Sequence, residues 1–240
     1  LLAVEDVGQR FGGLVALAGV SFDVRAGEIV GLIGPNGAGK TTLFEIVSGY
    51  QKPTSGDVRL NGRSLIGVPV HARAGLGIAR TFQIVQPFAH LSVLDNVIVG
   101  ALTAGAGRRE APARARAVLA RVGLEHRAEV RAAALPLPEK KRLELARALA
   151  LHPRLLLLDE VMAGLTPLEV EQVMSVLRSV RDDGVTLLVV EHVMQAVMGL
   201  SDRLVVLANG RKIAEGPPTA VARDPVVIEA YLGRRHSGAA

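Results

Sequence analysis

The stretch "GPNGAGKTT" carries the plainest chemistry in the chain, with glycine, four residues, then Gly-Lys-Thr. It runs through Gly34, Pro35, Asn36, Gly37, Ala38, Gly39, Lys40, Thr41 and Thr42. It follows an apolar run and opens a helical pattern, the context a phosphate-cradling loop requires. The glycines let backbone N–H groups turn inward around a β-phosphate. Lys40 neutralises β/γ oxygens, and Thr41 offers a hydroxyl to Mg²⁺. The helix that follows adds its positive end. The plainer alternative is a glycine-rich strand-to-helix turn that binds nothing. A dinucleotide fingerprint is disfavoured because Gly37 and Gly39 lead straight into Lys-Thr.

The other half of such a site is an acidic group at the end of a buried strand, and "LLLLDE" supplies it. Asp159 is placed to hold Mg²⁺ directly or through water. Glu160 follows at the strand's C-terminal edge, where open α/β sheets bind ligands, and can deprotonate an attacking water. Alone, an Asp-Glu pair ending a strand reads as a solvated turn; joined to the phosphate loop, it reads as a site. His192, ending "LLVVEH", can hydrogen-bond a γ-phosphate and stabilise transition-state charge, or is an ordinary strand-end histidine. Gln83, in "RTFQIVQPF", offers an amide to Mg²⁺ or to the attacking water, or is a loop glutamine.

Such groups need strands to place them. The runs "EIVGLIG" (28–34), "GLGIART" (75–81), "LLLLD" (155–159), "TLLVVE" (186–191) and "RLVVLA" (203–208) are near-continuously apolar, as in a parallel sheet covered on both faces. "AVEDV", "VSFDV" and "GDVRLNG" alternate apolar and polar residues, as half-exposed antiparallel strands do. The expected fold is therefore α/β, a phosphate-loop core with a mainly parallel sheet and an N-terminal antiparallel β layer. From about 85 to 152 strand signals vanish and helical patterns take over, broken by the loop "TAGAGRREAP" at 103–112. This reads as a helical subdomain inserted between core segments 1–84 and 153–240 of one domain.

Composition narrows the class. At 240 residues and 49% hydrophobic the chain can bury a large core, and without cysteine it has no disulfide, thiolate metal site or cysteine nucleophile. The longest apolar runs end at Asp159 and Glu191, far short of the ~20 residues a membrane span needs. No signal peptide is visible at "LLAVEDVGQR", and the missing initiator Met points to a trimmed start. The net charge of +5 raises nucleic acid or an anionic membrane as a partner. Yet the arginines are scattered and aromatics are only 3%, which argues against a base-stacking surface.

One further stretch is ambiguous. In "LPLPEKKRLELARAL", Pro136 and Pro138 precede a run with Leu143, Ala146, Leu149 and Ala150 at helical spacing. The prolines suit an ordinary first helical turn. Equally, they sit where free N–H groups would grip a phosphate.

In this order the elements resemble the nucleotide-binding subunit of an ATP-binding cassette (ABC) transporter, over essentially the whole chain. Gly34 to Thr42 matches the Walker A loop, Gln83 the Q-loop, Leu135 to Lys140 the signature motif and Leu155 to Glu160 the Walker B strand. Ala163 to Thr166 matches the D-loop and His192 the switch histidine. Phe11 matches the aromatic that stacks on adenine, or is a core aromatic. The stretches "GIARTFQ", "VLDNVIVG" and "DPVVIEAYLG" most resemble one ATPase subunit of branched-chain amino acid importers, whose relatives serve urea and amides.

The resemblance implies ATP and Mg²⁺ as cofactors and a cytoplasmic position, peripheral on the inner face of the cell membrane. It also implies permease subunits as partners, a solute-binding protein reached indirectly, and no nucleic acid. Two subunits, a sibling pair or a homodimer, would sandwich two ATPs head to tail. A non-transport ATPase acting on nucleic acid or ribosomes stays open as an alternative, although long inserts or fused cassettes are missing. A non-hydrolysing regulator is disfavoured by Glu160 and His192 together.

The chain departs from the family in two places. Where the family has Leu-Ser-Gly-Gly-Gln, Pro136 replaces the serine, Leu137 the first glycine and Pro138 the second. The N–H groups of Leu137, Glu139 and Lys140 remain as expected donors to a partner's γ-phosphate, with the charges of Lys140 and Lys141. Val161 replaces the proline that usually follows the catalytic glutamate. A heterodimer with one weakened site is the expectation; a subgroup that closes adequately with prolines is the alternative.

Overall fold

The computed structural model describes residues 1–232, so the closing "RRHSGAA" lies outside it. The chain opens with β1 (Leu2–Phe11) and β2 (Leu14–Val24), then β3 (Ile29–Ile33) and α1 (Lys40–Ser48). Next come β4 (Ser55–Leu60), β5 (Arg63–Ser64), α2 (Val70–Gly75) and β6 (Ile78–Arg80). The helices α3 (Val93–Thr103), α4 (Ala111–Arg121) and α5 (Leu137–Leu149) follow, before β7 (Leu155–Asp159) and α6 (Pro167–Asp182). The remainder is β8 (Thr186–Val190), α7 (Met194–Leu200), β9 (Arg203–Ala208), β10 (Arg211–Gly216), α8 (Pro218–Val221) and α9 (Pro225–Leu232).

Two sheets form. The antiparallel sheet has the order β2-β1-β4-β5, and the other has β10-β9-β3-β8-β7-β6, parallel except for β10. The expected α/β class with an antiparallel β layer is borne out. In β2, Val20, Phe22 and Val24 are buried while Ser21 and Asp23 face solvent, the period of a one-sided strand. In β3, β7 and β8 every residue is buried. Alternate residues there serve different cores. Leu155 and Leu157 pack toward α1 and the antiparallel sheet, whereas Leu156 and Leu158 pack toward α5 and α6.

One strand is shorter than the sequence suggests. In "GLGIART" only Ile78–Arg80 is strand. Gly75 closes α2, and Gly77 takes a φ of +85° in the turn that starts the strand, a conformation open to glycine. Among the described residues no helix is long and apolar enough to cross a membrane.

One guanidinium adds a polar link between the two sheets. Arg203 donates through Nε and Nη2 to the two Glu28 oxygens at 2.8 and 2.9 Å, through Nη2 to the Asp23 carbonyl at 2.8 Å, and through Nη1 to Glu215. Burial alone would raise the Glu28 carboxyl, but the Arg203 hydrogen bonds and charge, with the Arg25 N–H, hold it below its ordinary 4.5. A carboxyl lowered by folding adds stability above its unfolded value and loses it as pH falls through the folded one. We expect Arg203→Met to lower unfolding stability by about 2 kcal/mol at neutral pH, since it leaves a mostly buried carboxylate unpaired. In urea titrations that gap should narrow as pH falls below about 4.5.

Candidate nucleotide-binding site

The parallel register brings the polar groups together. Asp159 lies opposite Val190 and Arg80 opposite Leu157, so β3, β6, β7 and β8 all release their chain at the same sheet edge. The phosphate loop leaves β3, Gln83 lies just past β6, Glu160 follows β7, and His192 lies just past β8.

The loop is closely fitted. A Cβ on Gly34 would lie 2.1 Å from the Leu207 carbonyl, and one on Gly39 would lie 2.7 Å from the Ala16 carbonyl, distances no side chain tolerates. Helix α1 starts at Lys40 with no side-chain cap and no acidic residue in its first turn. Its positive end is therefore open to an anion. Lys40 turns inward, its Nζ donating to the Gly34 and Pro35 carbonyls at 2.7 and 3.0 Å. Burial pulls its ammonium below the ordinary value, opposed by the Glu160 and Asp159 carboxylates. Behind the loop, the Gly34 backbone hydrogen-bonds the hydroxyl of Tyr231 on α9, which burial pushes up.

Asp159 is buried. Its Oδ2 accepts from Arg80 Nη2 at 2.8 Å, and its N–H donates to Thr81 Oγ1 at 3.2 Å. Burial raises its carboxyl, offset by the Arg80 hydrogen bond. The Arg80 guanidinium lies over the rings of Phe44, Tyr50 and Phe82 at 5.6, 5.6 and 5.3 Å, and donates to Ser48 Oγ at 2.8 Å. Thr41, Gln83 and Asp159 line one cavity of about 550 Å³ with Arg80, Tyr50 and Phe82. Among the described residues no three His, Cys, Asp or Glu side chains cluster as a metal cage. A hydroxyl, an amide and one carboxylate facing a roomy cavity fit Mg²⁺, which takes oxygen ligands and shares them with phosphate and water.

Glu160 is the meeting point. One oxygen accepts from Gln83 Nε2 at 2.7 Å, and the other lies 3.7 Å from His192 Nδ1. His192 is otherwise exposed, with 61% of its side chain open to solvent. Phe11, 46% exposed, pairs with Leu14 at the tip of the β1–β2 hairpin, so it is not a core aromatic. The neighbouring Ala16 and Leu17 lie against Gly39 of the loop.

The helix start at α5 corrects part of the sequence reading. Pro136 is its N-cap without a side-chain bond, and Pro138 sits in the first turn. The Lys140 N–H donates to the Pro136 carbonyl at 2.9 Å, leaving Leu137 and Glu139 as the free backbone donors. Lys141 does not face outward either. It is buried, because its helical phase matches Leu145 and Ala148, and its Nζ donates to the carbonyls of Glu160 and Ala163 at 3.0 and 2.6 Å. Glu139 pairs with Arg127 at 3.2 Å through one oxygen, while the other is buried without a partner.

Sequence reasoning missed Arg80, Thr81 and Glu191. For Arg80 and Glu191 the available signal was a charge at the end of an apolar strand, as in "IART" and "TLLVVE", because a buried charge requires a partner; Thr81 gave none.

Comparison with known proteins agrees with this geometry. Residues 17–163 match the ABC transporter family, and residues 211–237 match the family described as branched-chain amino acid ATP-binding cassette transporter. The chain is 42% identical to the high-affinity branched-chain amino acid transport ATP-binding protein LivG of Salmonella typhimurium, over 97% of this chain and 98% of that one. It is 39% identical to BraF of Pseudomonas aeruginosa, a protein of the same description, over the same shares. An ATP-binding cassette of an ABC transporter, solved in its ADP conformation, superposes with a TM-score of 0.88 at 30% identity, covering 97% of this chain and 98% of that one. A cassette solved as a dimer in a post-hydrolysis state bound to ADP and Pi superposes at 0.81 with 25% identity, covering 91% and 99%. With a family model over most of its length, near full-length relatives and a nucleotide site assembled at one sheet edge, this chain belongs to the ABC transporter family, as one of its ATP-binding, ATP-hydrolysing subunits.

Proposed function

We propose that this chain hydrolyses ATP to energise an importer of branched-chain amino acids or of related small amides such as urea. The observation that carries the chemical part is the convergence of Gln83 and His192 on the Glu160 carboxylate, beside Asp159 and the phosphate loop. The solute rests on the likeness to LivG and BraF. Residues 1–84 and 153–240, with the helical part at 85–152, act as one nucleotide-binding domain.

Phe11 stacks on adenine, and the N–H groups from Gly34 to Thr42 hold the phosphates. Lys40 exchanges its two loop carbonyls for phosphate oxygens. Thr41, Asp159 and Gln83 would hold Mg²⁺, which would supply charge neutralisation for the phosphates. Glu160 takes the proton of the attacking water as its oxygen bonds to the γ-phosphorus and the bond to the bridging oxygen breaks. Gln83 orients that water, and His192 donates to the γ-phosphate as charge builds.

Leu137, Glu139 and Lys140 face the ATP of a second subunit; that such cassettes pair is supported by the neighbour solved as a dimer with ADP and Pi. That grip is weak. Pro136 has no hydroxyl, Pro138 has no N–H, and the Lys140 N–H is already used, at roughly 1.5–3 kcal/mol for each bond to a charged group. A heterodimer with a sibling whose own signature is intact follows, seated on permease subunits at the inner face of the membrane and served indirectly by a solute-binding protein.

In the assembled complex, Glu160→Gln should cut phosphate release about a hundredfold or more while ATP binding persists. The matching change in the sibling should leave more than half of the turnover, and equal loss from both would refute the asymmetry. Phe11→Ala should weaken ATP about tenfold, the value of one base stacked on an aromatic ring, read by equilibrium binding. Reconstituted vesicles should accumulate labelled leucine or urea only with ATP inside; ATPase stimulation by nucleic acid instead would overturn the transport reading.

A further inference from the structure

Glu160 has a φ of +49°, a left-handed backbone that a side-chain-bearing residue adopts only when its surroundings enforce it. Two buried charged residues, from different elements, bond the backbone of the Glu160–Ala163 turn. From α5, Lys141 Nζ holds the carbonyls of Glu160 and Ala163 at 3.0 and 2.6 Å. From the end of β8, Glu191 Oε1 accepts the Met162 N–H at 2.7 Å. The Glu160 N–H itself donates to the Val190 carbonyl, next to Glu191, at 2.9 Å.

Lys141 and Glu191 are 8% and 2% exposed. Holding an ordinary turn does not require ions, and burying them is costly unless their geometry serves something. Burial pulls the Lys141 ammonium down, opposed by Glu191 and Glu160. It pushes the Glu191 carboxyl up, opposed by the Met162 N–H, His192 and Lys141. Each residue also adjoins a part of the site. Lys141 follows Lys140 in the first turns of α5, and Glu191 immediately precedes His192.

We propose that Lys141 and Glu191 are positioning residues, a paired clamp that fixes the left-handed backbone of Glu160 and joins it to the α5 helix start. This rests on the proposed function above, in which Glu160 is the base and α5 faces the partner's ATP. A shift of α5 then reaches Glu160 through the two Lys141 hydrogen bonds, so the grip on the partner's nucleotide and the placement of this chain's base are set together. A lysine suits the task because its one ammonium, with three donors, reaches both carbonyls at once, whereas the Ala163 N–H reaches only the Glu160 carbonyl, at 3.3 Å.

The test uses the assembled complex. Lys141→Met and Glu191→Gln should each lower kcat for ATP tenfold or more, with KM within about twofold. Lys141→Arg should recover at least half of the lost kcat. The double variant should be no worse than about twice the poorer single one, as expected of groups acting on one element. Hydrogen exchange at the Met162 amide should quicken at least tenfold in Lys141→Met, a readout that does not depend on which residue is the base. Unchanged kcat in Lys141→Met, or a loss in melting temperature and KM together that arginine does not rescue, would overturn the clamp. Full turnover in Glu160→Gln, with fast Met162 exchange in Lys141→Met, would instead remove the base assignment and leave the clamp standing.

Discussion

A parallel ladder of strands that are apolar on both faces leaves few places for a polar side chain, and the register of that ladder decides where they are. In β3, β7 and β8 no residue reaches solvent, so the first positions free to carry charge are the ones where the strands stop. Because Asp159 is level with Val190, and Leu32 with both Val190 and Val205, those stops coincide. The site is thus a property of the pairing before it is a property of any loop. A slip of one residue would move the acidic ends out of line with the phosphate loop and turn each strand's side chains to the wrong core.

Charge placement follows from the same edge. Lys40 at the start of α1, Arg80 at the end of β6 and Lys141 in α5 stand against Asp159, Glu160 and Glu191 at or just past strand ends, all mostly withdrawn from water. Such arrangements contribute little net stability, because desolvation offsets the attraction. They do fix directions. Arg80 shows how: its plane is confined by three aromatic rings, and its hydrogen bonds go to Ser48 and to Asp159. Asp159 cannot rotate without breaking one of them.

Much of this was legible in the sequence, for a local reason. The phosphate loop is contiguous, so its spacing alone announces it, and runs such as "LLLLD" read as buried strands because nothing polar interrupts them. What escaped depends on residues far apart in the chain. Arg80 meets Phe44, Tyr50 and Asp159 only after the sheet has paired. From the sequence, Lys141 adds its charge to that of Lys140 toward a partner's γ-phosphate, yet the helical phase it shares with Leu145 carries it inward to two carbonyls. The Lys140 N–H was counted as free because sequence does not show which residue of "LPLP" becomes the cap; once Pro136 is the cap, its carbonyl claims that donor.

The scarcity of aromatic residues has a practical side. The chain holds no tryptophan and two tyrosines. Tyr50 lies against the Arg80 guanidinium that holds Asp159, and Tyr231 is bonded to the backbone of Gly34. Both tyrosines that would give this protein an intrinsic fluorescence signal therefore stand beside the nucleotide site, and neither sits in the hydrophobic interior. Tyrosine emission from the unlabelled protein, excited beyond the phenylalanine band, reports on the nucleotide pocket alone.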